Sequence, residues 1–273
     1  MLEFGNVWTE AKLNAIEEYL GSYTTALRNV KYFKYCYIDG FAGDGSIKLK
    51  NGEIIDGSAI RAIKFPFNKD IFIDKDKNNL TVLKNKISYI NEDKDVDYIN
   101  SDCNEFFLNI DKTSWKIDNW RGVIFLDPFA MDMKFECLKS ISNTKIFDVW
   151  YLFPIMALNR NFYRNGRIPT AIKTKITDII GEGWEEYIYS DSPQQSLFGD
   201  KVLQKTDIEH IINYWLKKLG DVFPTVSPKA VILKNEKKSP QFLLCFTGSN
   251  PSERAKILSL NLADYILQQL ERE

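Results

Sequence analysis

The sequence contains one histidine, His210, and four cysteines that are scattered without a CxxC pair. These are too few ligands for a structural zinc site, so we predict no metal centre. A Ser/His/Asp or Cys/His catalytic system would have to recruit His210. That residue lies in IEHIINYWLKKL, where apolar residues recur at helical spacing, which favours an ordinary helix histidine.

Long apolar runs and a charge of one sign are also missing. No uninterrupted apolar run approaches the ~18 residues that a membrane span needs, and MLEFGNVWTEAKLN does not resemble an export signal. We therefore expect a reduced cytoplasmic protein without a membrane partner. Lysine plus arginine (36) nearly balances aspartate plus glutamate (37), so any nucleic-acid binding must use a local basic patch.

What the chain does contain is a regular alternation of helix-like and strand-like segments. Residues 9–29 predict a helix that begins at Thr9. Five β-branched and aromatic runs then predict strands, within 34–45 (a run that ends in glycines), 69–76, 95–102, 121–129 and 144–154. The stretches between them predict helices at 57–65, 78–90, 103–110 and 133–142. Such repeated βαβ units indicate a mostly parallel sheet covered by helices on both faces, in an α/β Rossmann-like fold.

The second half of the chain completes one predicted domain, 1–273. Residues 155–228 include a helix near 206–219 and read as an inserted helical cap that recognises a substrate. Residues 229–247 predict a terminal antiparallel hairpin, and an amphipathic helix follows Pro251. Because ligands in such sheets bind at the carboxyl ends of the strands, the informative residues are those that end each strand.

The first strand ends in the glycine turn Asp39-Gly40-Phe41-Ala42-Gly43-Asp44-Gly45. Glycines at 43 and 45 allow positive φ, and Asp39 can fix the loop or accept a hydrogen bond from a ligand. The order D-x-F-x-G-x-G resembles a motif of class I S-adenosylmethionine-dependent methyltransferases and differs from the dinucleotide fingerprint G-x-G-x-x-G. The negative Asp44 would tolerate a cationic sulfonium but repel a pyrophosphate. The resemblance implies S-adenosylmethionine as cofactor, bound by Asp39, Gly40, Phe41, Ala42, Gly43 and Gly45.

Carboxylates end the next two strands. Asp74 is placed to accept the ribose hydroxyls of the cofactor, while Asp76 is expected to cap the following helix. Asp102 is placed to accept from an adenine amino group, with Cys103 beside it. Each aspartate alone would more often be a helix cap, but three acidic strand ends after a glycine turn favour cofactor binding.

The fourth strand ends in Asp127-Pro128-Phe129-Ala130. It is similar to the D-P-P-Y/F motif of amino-group methyltransferases, with one proline where that motif has two. The resemblance implies that Asp127 and the Pro128 carbonyl accept hydrogen bonds from a substrate NH2 and that Phe129 stacks on the base. The alternative is a strand-end turn with a capping aspartate and a core phenylalanine.

A basic and aromatic stretch follows the fifth strand, with no acidic residue between 159 and 175. Such interleaving would hold phosphates while rings stack on unpaired bases, which predicts substrate binding by Arg160, Tyr163, Arg164 and Arg167. The alternative is a solvated helix face whose aromatic side chains fill the core.

The chain resembles the three-Cys-motif partner protein family over nearly its whole length, and several longer segments carry this resemblance. They include WTEAKLNAIEEYLGSYTTALRN, FLDPFAMDM and FDVWYLFPIMALNRNFYRNG. The resemblance implies a class I methyltransferase-like fold, S-adenosylmethionine binding and a three-Cys-motif protein as partner. Three functions remain open: methylation of an amino group of a nucleic-acid base, methylation of a protein or small molecule, and a noncatalytic cofactor-binding subunit.

Overall fold

The computed structural model describes residues 7–112, 115, 118–164, 166–191 and 203–272. Its helices are α1 (Val7–Leu27), α2 (Ser58–Ala62), α3 (Lys77–Ile90), α4 (Cys103–Phe107), α5 (Phe135–Thr144), α6 (Ile155–Asn161), α7 (Thr170–Ile180), α8 (Trp184–Ile188), α9 (Ile208–Gly220) and α10 (Glu253–Arg272). Its strands are β1 (Lys34–Asp39), β2 (Ser46–Lys48), β3 (Ile54–Asp56), β4 (Lys69–Asp74), β5 (Val96–Asn100), β6 (Trp120–Leu126), β7 (Phe147–Phe153), β8 (Tyr189–Asp191), β9 (Leu203–Lys205), β10 (Thr225–Val226), β11 (Val231–Lys234) and β12 (Pro240–Gly248).

Within the described residues, eight strands form one sheet. The strands β5, β4, β1, β6 and β7 lie side by side in that order and run parallel. Next to β7 lies β12, which is antiparallel, and successive stretches of the outer edge of β12 pair with β11 and β10. If these five parallel strands are numbered 1 to 5 in chain order, their order in the sheet is 3-2-1-4-5. The direction in which successive strands are added therefore reverses between β1 and β6. That reversal creates a crevice at the carboxyl ends of those two strands.

Alternate residues of the central strands enter two separate cores. Along β1, Cys36 and Ile38 pack on one face while Tyr37 packs on the other. Helices α1, α2, α3 and α10 cover the Tyr37 face, and α4 to α9 cover the opposite face. Because successive side chains of a strand point to opposite faces, a strand that is buried on both faces needs apolar residues at every position.

The sequence-based prediction of five parallel strands, a terminal antiparallel hairpin and a final helix is confirmed. Trp150, within WYLFP, is fully buried in β7, as expected for a core strand. A short antiparallel hairpin of β2 and β3, which the sequence patterns above did not predict, follows the glycine turn. Its signal was present, because Asn51-Gly52 is a typical hairpin turn and Gly52 has φ +86°.

The described part of residues 155–228 packs onto the same core as the sheet. Trp215 of α9 stacks on Phe153 of β7, with ring centroids 4.0 Å apart and an interplanar angle of 9°. Both side chains are fully buried. In its described part this region is continuous with the fold, and its role in substrate recognition stays a prediction.

The four cysteines and the one histidine do not form a metal or catalytic cluster among the described residues. All four cysteines are buried and free. His210 lies in the first turn of α9, where its Nδ1 atom is 2.9 Å from Asp207 Oδ1 and its side chain is 60% exposed. Among the described residues, no group of three His, Cys, Asp or Glu side chains is arranged to hold a metal ion. In the same residues, no helix is both long and apolar enough to cross a membrane.

Candidate functional site

A cavity of about 750 Å³ lies over the carboxyl ends of the parallel strands. It collects residues from segments far apart in sequence: the first turns of α1, the glycine turn, the start of α2, the loops after β4, β5 and β6, and the start of β12. Nine predicted site residues line it: Gly40, Phe41, Ala42, Gly43, Asp74, Cys103, Asp127, Pro128 and Phe129. Asp39, Gly45, Asp102, Arg160, Tyr163, Arg164 and Arg167 are not among its lining residues.

The glycine turn is held against its neighbouring strands by backbone hydrogen bonds. The amide of Gly40 donates to Phe125 O (3.0 Å) and that of Ala42 to Ile73 O (3.0 Å). Gly43 has φ +59° and Gly45 has φ +78°, as the sequence predicts. A Cβ on Gly45 would lie 2.7 Å from Leu83 Cδ1, so Gly45 shapes the turn from behind rather than from within the cavity.

Asp39 is fully buried beneath the turn. Its carboxylate accepts hydrogen bonds from the Phe41 amide (3.1 Å) and the Tyr37 hydroxyl (3.3 Å). Burial raises the pKa of Asp39 to about 6, although hydrogen bonds from Ser58 and Phe41 act in the opposite direction. Of the two roles that the sequence left open for Asp39, the structure supports fixing the loop.

Asp74 links the turn to the second strand. Its Oδ2 atom accepts from the Gly43 amide (2.9 Å), and Oδ1 accepts from the Asp76 amide (2.7 Å) and Asn79 Nδ2 (3.2 Å). A carboxylate has about four acceptor positions, so one remains open for a ligand hydroxyl. Asp76 caps α3 by accepting from the Asn78 amide at 2.8 Å, as predicted.

Asp102 occupies the helix-cap position that the sequence offered as its alternative role. Its Oδ1 atom accepts from the Asn104 amide (2.7 Å), and Lys75 Nζ lies 3.1 Å from its Oδ2 atom. Partial burial opposes ionisation, but these partners hold the pKa of Asp102 below its usual value. Cys103, which follows it, lines the cavity and is 2% exposed. Contact of Asp102 with an adenine amino group stays a prediction.

Asn104 joins the loop after β5 to the loop after β6. Its Nδ2 atom donates to Asp102 Oδ1 (2.9 Å) and to Asp132 O (2.7 Å), and its Oδ1 atom accepts from the Lys134 amide (2.8 Å). This amide side chain therefore fixes the chain shortly after Asp127. Asn104 was not among the predicted site residues, because an asparagine at the start of a helix usually forms only a local turn.

Asp127 forms an ion pair with Lys12 of α1. The Lys12 side chain is 6% exposed and that of Asp127 is 26% exposed. Lys12 Nζ also lies 5.2 Å from the ring centroid of Trp8, which lines the same cavity. Phe129, on the other side of Pro128, is 63% exposed, so it is not the core phenylalanine of the alternative interpretation.

Lys12 and Trp8 are site residues that the sequence analysis missed. Positions 8, 12, 16, 19 and 23 share one face of α1, and Ile16, Tyr19 and Tyr23 on that face are buried. A lysine inside such a stripe was the available signal, because buried lysines almost always have a charged partner. Its partner lies 115 residues away, which spacing within the helix cannot show.

The predicted substrate-binding segment begins beside the loop that carries Asp127. Asn161 Nδ2 of α6 lies 3.3 Å from Met131 Sδ. Arg160, Arg164 and Arg167 are exposed, and Tyr163 is 40% exposed. Phe162 between them is buried against Trp184 at a centroid distance of 5.4 Å, as the core-filling alternative expects. The structure therefore leaves these arginines exposed and outside the cavity lining.

Comparison with known proteins agrees with this sheet. The chain is similar to a Legionella pneumophila protein described by the family model DUF519, with a TM-score of 0.50 at 12% identity over 95% of this chain and 92% of that one. The sheet carries an antiparallel strand inserted beside the fifth parallel strand. The fold is that of a class I methyltransferase.

A second similarity is to Trm1 from Pyrococcus horikoshii in complex with S-adenosyl-L-methionine, with a TM-score of 0.39 at 10% identity over 96% of this chain and 75% of that one. The first similarity shows the fold alone. No protein-family model matches the chain. No curated protein matches it in sequence. The resemblance to three-Cys-motif partner proteins therefore stays a prediction.

Proposed function

We propose that the chain is an S-adenosylmethionine-dependent methyltransferase that acts on an amino group, with a nucleic-acid base as the acceptor. One observation carries the proposal: the glycine turn after β1 and Asp127-Pro128-Phe129 after β6 line the same cavity at the reversal of strand order. In open α/β sheets this crevice is the usual ligand site. Its volume of about 750 Å³ lies within the range typical of cofactor pockets.

The polar groups of the cavity suit this cofactor. Three carboxylates line it, Asp74, Asp127 and Asp132, against two lysines, Lys12 and Lys75, which leaves an excess of one negative charge. An excess negative charge favours a cationic sulfonium and disfavours a pyrophosphate. Asp74 has one open acceptor position for a ribose hydroxyl, and binding both hydroxyls would require Asn79 to release its bond.

The residues after β6 supply the acceptor side of the mechanism. A bound S-adenosylmethionine would supply an electrophilic methyl group. The Asp127 carboxylate and the Pro128 carbonyl would accept hydrogen bonds from the acceptor amino group and so orient its nitrogen lone pair. The exposed ring of Phe129 would stack on the base. Positioning of the nucleophile is then the main contribution of the protein.

The exposed side chains of Arg160, Arg164 and Arg167 support a nucleic-acid acceptor. Asn161, next to Arg160 in the chain, contacts Met131 in the loop that carries Asp127. A nucleic-acid strand lying along these side chains would gain contacts to its phosphates while one of its bases entered the cavity. This arrangement is compatible with the chain's net charge of −1, because it needs only a local patch.

The proposal is tested by incubating the protein with methyl-tritiated S-adenosylmethionine and separate pools of total RNA, genomic DNA and protein. We expect label in RNA or DNA, and a strong but still measurable reduction of that label in the Asp127→Asn variant. Asp178→Asn, an exposed carboxylate on α7, is the matched control and should label as the parent does. Label in protein alone would refute the nucleic-acid acceptor. Cofactor binding without label in any pool would support the noncatalytic partner role instead.

A further inference from the structure

The ion pair between Lys12 and Asp127 joins the first helix to the loop after the fourth parallel strand. Burying a lysine is costly unless a partner compensates its charge, and Lys12 is 5% exposed. The pair lies in the lining of the cavity, not beneath it. A contact that only joined α1 to the sheet would not need a charged pair there, because the apolar stripe of α1 already packs on the core.

The hydrogen bond from Lys12 goes to a single carboxylate oxygen. Lys12 Nζ donates to Asp127 Oδ2. The Asp127 side chain lies in the cavity lining and is 26% exposed, so a ligand in the cavity can reach its carboxylate. Lys12 is itself held from a second side, since the Trp8 ring centroid lies 5.2 Å from Nζ.

We propose that Lys12 is a positioning residue for the methyl transfer. It fixes Oδ2 of Asp127 so that Oδ1 accepts the N–H of the acceptor amino group in a constant orientation. This inference rests on the proposed function. In the reaction the acceptor nitrogen forms a bond to the methyl carbon as the carbon–sulfur bond breaks, and the surplus proton on nitrogen leaves to solvent. Lys12 takes no part in bond making and acts only through Asp127.

The test is a kinetic double-mutant cycle with Lys12→Met, Asp127→Asn and the double variant. The assay uses labelled S-adenosylmethionine and the nucleic-acid pool that the parent methylates. We expect Lys12→Met to lower kcat by roughly 100-fold, the scale of a misplaced reacting group. In the Asp127→Asn background the same change should lower it less than about threefold further, because coupled residues are not additive.

Two further measurements separate positioning from a general structural role. Calorimetry should show that the Kd for S-adenosylmethionine stays within about threefold of the parent in Lys12→Met, as for a residue that acts only in the transfer step. Lys12→Arg keeps the charge and should restore kcat to within about tenfold of the parent. Lys77→Met, an exposed lysine at the start of α3, is the control and should behave as the parent.

The outcomes distinguish this inference from the proposed function. If the parent methylates but Lys12→Met is equally active, Lys12 is not a positioning residue. The same holds if the decreases in kcat of Lys12→Met and Asp127→Asn multiply in the double variant. A Kd raised more than about tenfold would mean that Lys12 contacts the cofactor, which also overturns the inference. If the parent labels no pool, the proposed function itself fails. Should Lys12→Met fail to fold, the same cycle is run with Lys12→Gln, which also removes the charge that holds Asp127.

Discussion

Gly43 offers a sharp test of the cavity because its backbone strain and its position can be separated. It has φ +59°, and a Cβ built on it meets no atom within 4 Å. Replacing it with alanine forces a left-handed alanine, which costs ~1–2 kcal/mol. The lower conformational entropy of the unfolded alanine chain offsets ~0.4–1 kcal/mol of that cost. We expect a net loss of unfolding free energy of about 1 kcal/mol, or 2–4 °C in Tm, for a chain of this size.

Gly52 is the matched control. It has φ +86° and also no atom within 4 Å of a built Cβ, but it lies in the β2–β3 hairpin turn outside the cavity lining. Gly52→Ala should therefore lose as much stability as Gly43→Ala in chemical denaturation. Only Gly43→Ala should weaken S-adenosylmethionine binding in calorimetry, by tenfold or more, because a methyl group there enters the space of the ligand. Equal affinities in the two variants would refute the placement of the cofactor against this turn.

Three other predictions concern the sheet and the acceptor side. Burial raises the pKa of Asp148 to about 7, so the folded state holds a proton that the unfolded state releases near pH 4, and stability falls as pH rises between these values. Asp148→Asn removes this titration and can still accept a hydrogen bond from Tyr19. In urea titrations between pH 4 and 7, the decrease of unfolding free energy with pH should be smaller than in the parent by ~1.4 kcal/mol per pH unit. An unchanged pH dependence would contradict the prediction. Asn104→Ala should lower the unfolding free energy by ~0.5–1.5 kcal/mol, since the partly buried Asp132 carbonyl and the exposed Lys134 amide lose their bonds; a smaller loss in denaturation would refute its clamping role. Replacing Arg160, Arg164 and Arg167 together with alanine should weaken RNA or DNA binding in fluorescence-anisotropy titrations. The plot of log binding constant against log salt concentration should also become shallower, because fewer phosphates are neutralised. The exposed Arg254→Ala variant is the control, and equal binding constants and slopes in the two variants would contradict the prediction.

Local sequence patterns determine most of the fold. The apolar run of β1 is buried on both faces and ends in glycines, so its strand and its turn follow from residues next to each other. The same holds for the carboxylates that end β4 and β6. Asp74 and Asp127 line the cavity because parallel strands present their carboxyl ends at one edge.

The remaining site residues depend on long-range packing. Lys12 pairs with a residue 115 positions away, and Phe242 reaches the cavity only because β12 inserts beside β7. Asp102 shows the other difficulty, because helix capping and ligand binding require the same residue type at the same strand end. The backbone that follows decides between these roles, and here Asn104 supplies the amide that Asp102 caps.

The most direct test of the account is a crystal structure of the protein soaked with S-adenosylhomocysteine, the demethylated product. We predict electron density for the nucleoside beside Gly43 and Asp74, with the sulfur directed toward Asp127. Density at another site, or a cavity filled by the protein's own side chains at saturating ligand, would contradict the account.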